Sequence, residues 1–383
     1  YGAVSLKIRT KNVSKIKTKI KNLVKKYSDT KNGANPGLVF FEKKTIPSDF
    51  TEFGELALWK LIHRKHAKKF AQKYNLEYFY QGNGQGLVGA IGAIGYKFDD
   101  HTLELLSYRK KSRFGTKRNI KSDSVKQMQQ LTAPNTFNSY DEKNEHVMIT
   151  PHGPDPVFYG VRGEKISSLL HATTLLETNE KLTGHLIFKS NQGTGDHLKH
   201  ELDPKNLQPY ASGILTGIIS KVPKTIKGGH VIFQIKSSNH FVDCAVYKPT
   251  GITNIAKSLI LGDKIRIGGG IRQASKNHPR ILNIEFIKIL ELKKILKKSN
   301  PLCVSCNKKM KSKGINQGFQ CVKCGKKQSK KHISEYERNI QSKMYVPKIS
   351  AHRHLTRPLE RMGKKNKHSR FDKNSLWFCA YEN

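Results

Sequence analysis

The stretch from which the fold is best predicted is Thr150-Pro-His-Gly-Pro-Asp-Pro-Val-Phe-Tyr-Gly-Val-Arg-Gly-Glu164. Its three prolines and three glycines in fifteen residues argue against a regular helix and against a central strand. Such a constrained loop holds its polar side chains in fixed places at low entropic cost. We therefore expect an ordered loop that presents His152, Asp155, Arg162 and Glu164, with a purely structural loop as the alternative.

A second glycine-containing loop, Asn191-Gln-Gly-Thr-Gly-Asp-His197, directly follows the strand-like run His185-Leu-Ile-Phe188. Gly193 and Gly195 flank Thr194, and a loop of this kind can expose backbone N–H groups to an anion. No Gly-Lys-Ser/Thr sequence follows the glycines, so this is not a Walker motif. Any phosphate binding here would depend on the backbone geometry of the loop.

Composition indicates a polyanionic partner. The 383 residues, enough for two to four domains, include 70 Lys and Arg against 29 Asp and Glu, a net charge of +41. Nucleic acid is the first candidate partner, although a lysine-rich proteome would explain part of the excess. A membrane surface is the rival, but the sequence shows no long apolar segment and no signal peptide. The six cysteines, four of them in close pairs, suit a reducing cytoplasm.

Periodicity predicts the elements of the first half. Val4–Ile8 alternates like a half-buried strand; since the chain starts at Tyr1 without methionine, this strand suggests a missing N-terminal segment. Asp49 or Thr51 begins a long helix that runs to about Tyr74. Further predicted elements are a basic amphipathic helix Val13–Tyr27, a strand Leu38–Phe41, a strand Thr102–Arg109, and helices Ser122–Leu131 and Ile166–Thr178.

The glycine-rich run Gln81–Gly95 contains a Gly-x-Gly pair, which is also found in dinucleotide-binding folds. It lacks the strand-to-helix frame and the acidic residue about twenty positions on that such a fold requires. A small-residue helix over Leu87–Ile94 is the better prediction. Its glycines and alanines would allow close packing on a sheet or on an RNA backbone.

The second half changes character near Gln208. We predict three strands, a helix Asn254–Leu261 and two more strands, the element order of an OB-fold. Single aromatic residues on these strands would be core residues or platforms on which bases stack. The predicted strands are Gly213–Val222, His230–Ile235, Phe241–Tyr247, Lys264–Gly270 and Ile281–Ile289, and the aromatic residues are Phe233, Phe241 and Tyr247.

Two Cys-x-x-Cys pairs follow, with fourteen residues between them, as in a zinc ribbon. Four thiolates close a tetrahedral shell, so the expected zinc is structural and not catalytic. Lysines fill the intervening hairpin and would make its tip positive. The predicted ligands are Cys303, Cys306, Cys321 and Cys324, and the lysines include Lys308 and Lys309.

The last part of the chain is basic and weakly patterned. It contains Ala351-His-Arg-His-Leu-Thr-Arg-Pro-Leu-Glu-Arg361, a composition that suits contact with phosphates. A solvated basic tail is the alternative. We predict RNA contact by His352, Arg353 and His354.

Several separate stretches resemble one family, the archaeal synthetases that attach agmatine to the wobble cytidine of the CAU-anticodon isoleucine tRNA (2-agmatinylcytidine synthetases). The resemblance spans nearly the whole chain, and the order of the motifs also matches. It rests on Gly82-Asn-Gly…Gly86-Leu-Val-Gly-Ala, Thr150-Pro-His…Pro154-Asp-Pro-Val…Tyr159-Gly-Val-Arg-Gly163, Asn191-Gln-Gly-Thr194, Gly228-Gly-His-Val231, Cys244-Ala-Val-Tyr-Lys-Pro-Thr250 and Ala351-His-Arg-His-Leu355.

The resemblance implies a multidomain α+β protein. A partial kinase-like α/β domain would occupy residues 1–77, and a ferredoxin-like domain with loops returning to the ATP site would occupy 78–203. An OB-fold β-barrel over 206–295, a zinc ribbon over 300–330 and a basic tail over 331–383 would follow.

The resemblance also implies an ATP-dependent carbon–nitrogen ligase acting on tRNA in the cytoplasm, with ATP, Mg²⁺ and a structural Zn²⁺. In this family, ATP activates the cytosine O2 by phosphorylation and the amine of agmatine displaces the phosphate, which changes decoding to AUA. We predict Arg162 and Asp155 as catalytic residues. For the ATP-binding role we predict Asn191, Gln192, Gly193 and Thr194.

One departure from the family pattern affects the predicted activity. The family begins with an aspartate-rich segment that binds Mg²⁺ and ATP and with a threonine used in phosphoryl transfer, and neither precedes Tyr1. Phosphoryl transfer depends on its metal for charge stabilisation, so the chain as given is expected to be inactive by itself. The alternative function is a non-catalytic RNA-binding protein built from the OB-fold and the zinc ribbon.

Overall fold

The computed structural model describes residues 2–276, 279–367 and 377–381. Tyr1, on which the expected truncation rests, lies outside these ranges, as do residues 368–376 and 382–383 of the expected tail. None of the helices in the described part combines the length and apolar character that a bilayer crossing needs.

The α-helices of the described chain fall mainly in its first half. Several have the predicted bounds to within a residue, including Val13–Tyr27. The helices are α1 (Val13–Tyr27), α2 (Ser48–Trp59), α3 (Arg64–Lys73), α4 (Gly86–Gly95), α5 (Ser122–Thr132), α6 (Ile166–Leu175) and α7 (Thr253–Lys257).

Strands dominate the second half, and the five predicted after Gln208 are all confirmed. The described strands are β1 (Gly37–Phe40), β2 (Glu77–Tyr80), β3 (Thr102–Arg109), β4 (Thr136–Phe137), β5 (Tyr140–Asp141), β6 (His146–Val147), β7 (Val157–Gly163), β8 (Leu182–Ser190), β9 (Ser212–Thr225), β10 (Val231–Ser237), β11 (His240–Val246), β12 (Lys264–Arg272), β13 (Ile281–Glu291), β14 (Ile295–Ser299), β15 (Lys311–Ser312), β16 (Phe319–Gln320), β17 (Lys327–Gln328), β18 (His332–Tyr336), β19 (Met344–Tyr345) and β20 (Phe378–Ala380).

The first layer packs α2, α3 and α4 against the antiparallel pair β1–β2 around Phe50, Leu87 and Ile91. The small residues of α4 allow this packing, because a Cβ on Gly95 would collide with the backbone carbonyl of Phe50. The single long helix predicted to Tyr74 is wrong. It is interrupted between α2 and α3, where the His63 side chain accepts a hydrogen bond from the Lys65 N–H and begins a new helix.

The predicted strand Val4–Ile8 is also wrong. These residues form no strand, and the side chains of Val4, Leu6 and Ile8 are exposed. A β-strand needs a hydrogen-bonded partner and a surface against which to bury its apolar side chains. Neither is present for this segment in the described chain, so the alternating sequence alone does not produce a strand.

A five-stranded antiparallel sheet forms the second layer, in the order β20-β8-β3-β7-β4. Helices α5 and α6 cover one face around the buried side chains of Leu105, Val161 and Met128. The order corrects the exclusion of a central strand from Thr150–Glu164, since β7 pairs with two strands. The prolines stop before β7, and its Gly160 lies under the Leu106 side chain, where a Cβ would be 2.9 Å from Leu106 Cδ2.

The third layer is a closed sheet of five strands, β11-β10-β9-β12-β13. Antiparallel pairs join neighbours, and a parallel contact of Cys244 with Leu282 closes the ring. Phe233 and Cys244 are buried inside it, whereas Phe241 is 63% exposed. Phe233 is therefore a core residue, Tyr247 is half-buried, and Phe241 is available at the surface.

The chain after Ile295 alternates between small sheets and returns to earlier layers. β14 pairs with β18, and β15–β17 form a three-stranded ribbon. β19 pairs with β13 of the closed sheet. β20 pairs with β8, which completes the second layer. The interpretation of 331–383 as a simple basic tail is therefore wrong for its described part, because long-range strand pairing and ion pairs fix it to the protein.

Candidate functional site

The four predicted zinc ligands lie together. The Sγ atoms of the cluster are all within 4.8 Å of one another, and those of Cys303 and Cys324 are 3.4 Å apart. The Ser305 backbone N–H lowers the pKa of Cys303, whereas the hydrogen bond between Cys306 and Cys324 raises the pKa of Cys306. The charge of a bound metal would favour the thiolate form of all four. A tetrahedral zinc with bonds of about 2.3 Å would need sulfurs about 3.8 Å apart. The cluster fits this metal, held by Cys303, Cys306, Cys321 and Cys324.

We expect one zinc ion per chain, because the thiolates have the donor type and spacing of a structural site. Elemental analysis of protein purified without chelator would measure it. Cys321→Ser should release the metal, whereas Cys379→Ser, on strand β20 away from the cluster, should retain it. A metal content that is zero, or unchanged in Cys321→Ser, would contradict this assignment.

Arg162 lies near the end of β7 and faces Glu104 on β3, its register partner. Arg162 Nε donates to Glu104 Oε1 over 3.0 Å, and Arg162 Nη2 is 3.2 Å from His354 Nδ1. Since a guanidinium only donates hydrogen bonds, His354 Nδ1 is the acceptor. The Arg162 side chain is 26% exposed, so the guanidinium is held by the protein but remains open to a ligand.

The Asn191–Thr194 loop lies next to this arginine. Gln192 Nε2 donates to Glu104 Oε2 over 2.6 Å, so one carboxylate contacts two of the predicted site residues. The Thr194 hydroxyl donates to the carbonyl of Asn191 over 2.6 Å, and Thr194 is buried. The structure therefore brings Arg162 and Gln192 together.

The glycine N–H groups of this loop already have partners. Gly193 N donates to the His354 carbonyl over 2.8 Å, and Gly195 N donates to the Leu355 carbonyl over 2.7 Å. The prediction that these two groups are exposed to an anion is wrong, because a segment some 160 residues later in the sequence covers them. Any contact of the loop with ATP would use its other groups, and the ATP-binding role stays a prediction.

That covering segment is fixed by buried ion pairs. Arg361 is fully buried; its Nη2 donates to Asp100 Oδ1 over 2.9 Å, its Nη1 donates to the Gly193 carbonyl over 2.6 Å, and its Nε donates to Glu164. Arg357 Nη2 also donates to Asp100, over 2.7 Å. The segment thus connects the Asn191–Thr194 loop to the start of β3 and the end of β7, which lie at the same end of the sheet.

Asp155 lies at the opposite end of β7 from Arg162. Its Oδ1 accepts from the Val157 N–H over 3.0 Å, and Arg118 donates to the backbone carbonyls of Pro151, Asp155 and Val157. Arg162 is five residue steps along β7 from Val157, a distance of about 17 Å. The structure does not bring the two predicted catalytic residues together, and the contacts of Asp155 order the Pro-rich loop.

The three residues predicted to bind RNA in the last segment have protein partners. The ring nitrogens of His352 contact Asn138 and the Pro347 carbonyl, and burial lowers the pKa of this histidine, which makes it a poor phosphate ligand. Arg353 pairs with Glu285 over 3.1 Å, and His354 accepts from Arg162. Their RNA-binding role stays a prediction. Lys308 and Lys309 are exposed on the ribbon, as predicted.

Comparison with known proteins identifies the family. The chain matches two family models, the TiaS FLD domain over residues 84–197 and the TiaS C-terminal zinc ribbon domain over residues 300–340. It is 43% identical to the isoleucine-tRNA 2-agmatinylcytidine synthetase TiaS of Cenarchaeum symbiosum (strain A), over 100% of this chain and 85% of that protein. The chain belongs to the TiaS family. The TiaS of Methanocaldococcus jannaschii is 37% identical over 94% of this chain and 86% of its own length.

Solved TiaS structures have the same fold. A crystal structure of apo TiaS, an isoleucine-tRNA agmatidine synthetase, has a TM-score of 0.82 at 33% identity, covering 94% of this chain and 85% of that one. The complex of TiaS with its isoleucine tRNA and ATP has a TM-score of 0.80 at 32% identity, covering 94% and 84%. The chain thus spans 84–86% of the length of these relatives, and the expected N-terminal segment stays a prediction.

The Mg²⁺ of the sequence analysis stays a prediction. Among the described residues, the four cysteines are the one group in which three or more metal-binding side chains converge. Asp100, a fully buried carboxylate just before β3, is engaged by Arg357 and Arg361. An ATP-bound Mg²⁺ takes one or two carboxylates together with phosphate oxygens and water, so its ligands stay a prediction.

Sequence reasoning missed Asp100, Glu104, Arg357 and Arg361 as members of this TiaS site. Asp100 belongs to none of the predicted motifs, and the two arginines fall in the segment assigned to a basic tail. The available signal was the conjunction of an acidic pair before a strand with two arginines four residues apart, Arg357 and Arg361, in an otherwise patternless segment. A side chain that is always charged can be buried only with a partner, but the sequence does not say which partner.

Proposed function

We propose that this protein is an ATP-dependent carbon–nitrogen ligase that joins agmatine to C2 of the wobble cytidine of the CAU-anticodon isoleucine tRNA. The product, 2-agmatinylcytidine, would pair with A in place of G, so the tRNA would decode AUA. The observation that carries the proposal is the 43% identity with an isoleucine-tRNA 2-agmatinylcytidine synthetase over the whole of this chain. A structure of TiaS with its isoleucine tRNA, AMPCPP and agmatine supports the same substrates.

We assign the layers to domains as follows. Helices α2 and α3 and strand β1 belong to a kinase-like domain over 1–77, whereas α4, which packs against them, lies wholly within the next range. The sheet covered by α5 and α6 on one face supports a ferredoxin-like domain over 78–203. The closed five-stranded sheet supports an OB-fold over 206–295, and the zinc ribbon spans 300–330. The described contacts of 331–383 tie that last part to the ferredoxin-like and OB layers.

We assign Arg162 to the phosphoryl group of ATP or of the activated base, because its planar fork suits a phosphate and the protein holds one of its edges. Asn191, Gln192, Gly193 and Thr194 would line the ATP site beside it. Asp155 keeps its proposed catalytic role only if the Pro-rich loop moves on binding. Mg²⁺ as the partner of ATP and a cytoplasmic location, in which the ribbon thiols stay reduced, complete the proposal.

The zinc ribbon is the proposed RNA contact of the C-terminal half. Replacing both Lys308 and Lys309 with glutamine should weaken tRNA binding. The negative slope of log affinity against log salt should become shallower by about 2, since each lysine would neutralise one phosphate. Filter binding across a salt series would measure this. Lys126 and Lys165, on the helix-covered face of the second layer, provide a control pair. An unchanged slope in the Lys308/Lys309 variant would place the RNA surface elsewhere.

The proposed reaction has a direct test. The protein is incubated with ATP, labelled agmatine and the CAU-anticodon tRNA, beside a version that begins with the aspartate-rich segment expected from the family. Label should enter the tRNA only with ATP, and a tRNA with a different anticodon should stay unlabelled. Binding of tRNA without labelling in either version would favour the non-catalytic RNA-binding alternative.

A further inference from the structure

Glu104 occupies the middle of the site although no motif singled it out. It lies on the central strand β3 and is 9% exposed. Its register partners are Arg162 on β7 and Phe188 on β8. Both carboxylate oxygens are used: Oε1 accepts from Arg162 Nε over 3.0 Å and Oε2 accepts from Gln192 Nε2 over 2.6 Å. One side chain thus fixes two groups that come from different elements, strand β7 and the loop after β8.

The groups that Glu104 leaves unused point to a role. Of the five guanidinium N–H groups of Arg162, the described residues engage Nε with Glu104 and Nη2 with His354. Gln192 Oε1 is buried and has no hydrogen-bond partner in the described chain. Because Glu104 takes one edge of the guanidinium and the amide nitrogen of Gln192, the remaining donors and this acceptor are left for a ligand.

We propose that Glu104 is a positioning residue for the ligase reaction, holding Arg162 and Gln192 in the orientation in which they contact the substrate. The proposal rests on the function proposed above and extends it to a residue that touches no substrate itself. Carboxylate is the required chemistry, because only a group with two acceptors satisfies two donors at once. A glutamine at this position would place its own NH₂ donor against one of them.

A purely structural ion pair in the same sheet provides the comparison. Arg109, at the other end of β3, donates from Nη2 to Glu180 over 2.6 Å, and both side chains are at least 95% buried. The Arg109 guanidinium also donates to the backbone and the hydroxyl of Thr116. Like Glu104–Arg162, this pair joins an arginine to a glutamate and has one member on β3. It contacts no predicted site residue.

The experiment compares Glu104→Gln with Glu180→Gln in whichever version of the protein is active. For Glu104→Gln we expect kcat to fall about 100-fold, as for a misplaced reacting group, with little change in the KM values for tRNA and agmatine. For Glu180→Gln we expect a lower melting temperature and a kcat close to that of the unaltered protein. If Glu104→Gln does not fold, Glu104→Asp beside Glu180→Asp makes the same comparison.

A double-mutant cycle tests whether Glu104 acts through Arg162. If it does, adding Glu104→Gln to Arg162→Lys should lower kcat little further, because the group that Glu104 positions is already lost. Multiplying losses, or a Glu104→Gln protein with the kcat of Glu180→Gln, would overturn the positioning role. No activity in the unaltered protein would instead count against the proposed function.

Discussion

Arg361→Met is expected to lower the free energy of unfolding by about 3–5 kcal/mol, the cost of breaking a buried ion pair from one side. The guanidinium is fully buried and contacts Asp100, Glu164 and the Gly193 carbonyl. Methionine fills similar volume but leaves Glu164 without its cation and Asp100 with Arg357 alone. Urea denaturation followed by circular dichroism would measure the change.

The loss of stability in Arg361→Met should first affect the segment that Arg361 fixes and the loop that this segment covers. The Gly193 and Gly195 N–H groups donate to carbonyls of the segment that Arg361 fixes, so their hydrogen exchange should accelerate strongly in Arg361→Met. Arg338→Met is the matched control, because Arg338 pairs with the buried Asp263 beside the closed sheet, over 2.6 Å. It should destabilise that layer and leave the exchange of the two glycines unchanged. If Gly193 and Gly195 exchanged at the same rate in both variants, the covering segment would not depend on Arg361.

The same cluster predicts how stability depends on pH. Burial acts to raise the pKa of Asp100, but hydrogen bonds from Arg361 and the Asn366 N–H, with the charges of Arg361 and Arg357, outweigh it and hold the pKa below its ordinary value of 3.8. A carboxyl group whose pKa is lowered by folding stabilises the folded state above its unfolded pKa, and this is lost as pH falls through the folded value. Below about pH 4 the protein should therefore lose stability, and Arg361→Met should lose less of it.

Local patterns in the sequence predicted the local structure well. Helix Val13–Tyr27 and strand Thr102–Arg109 have the predicted bounds, and the small-residue helix lies one residue beyond its prediction at each end. Apolar periodicity decides such elements because it reports the side chains one turn or two residues away. The four cysteines were predictable for a related reason, since metal-ligand spacing is itself a local pattern.

The predictions were wrong or incomplete where contacts between residues far apart in the sequence determine the structure. Gly160 and Gly163 looked unsuited to a central strand, but Leu106 on the neighbouring strand and Asn135 beside it fill the space where their side chains would lie. The contact of Asp100 with Arg361 spans more than 250 residues, and no periodicity in either segment indicates it. The candidate site could therefore be predicted only in part. Arg162, Gln192 and His354 came from motifs, whereas Glu104, which binds the first two, did not.

Arg162→Lys is expected to lower kcat by about 10²–10³-fold, the range for loss of one preorganised donor at a developing charge, while changing tRNA affinity little. The guanidinium bonds Glu104 and His354 along one side and keeps further N–H groups for the substrate. A lysine has one nitrogen and no planar fork. It cannot hold Glu104 in place and grip a phosphoryl group bidentately at the same time.

Arg109→Lys is the control for this substitution, since it makes the same chemical change at a fully buried pair in the same sheet. It should cost stability and leave kcat nearly unaltered, so the two variants separate loss of folding from loss of chemistry. Single-turnover rates with saturating tRNA and agmatine, beside tRNA dissociation constants at one salt concentration, would measure both quantities. If Arg162→Lys weakened tRNA binding as much as it slowed turnover, the arginine would belong to the RNA surface, because a residue that acts only on the reacting phosphoryl group leaves the binding of the rest of the tRNA intact.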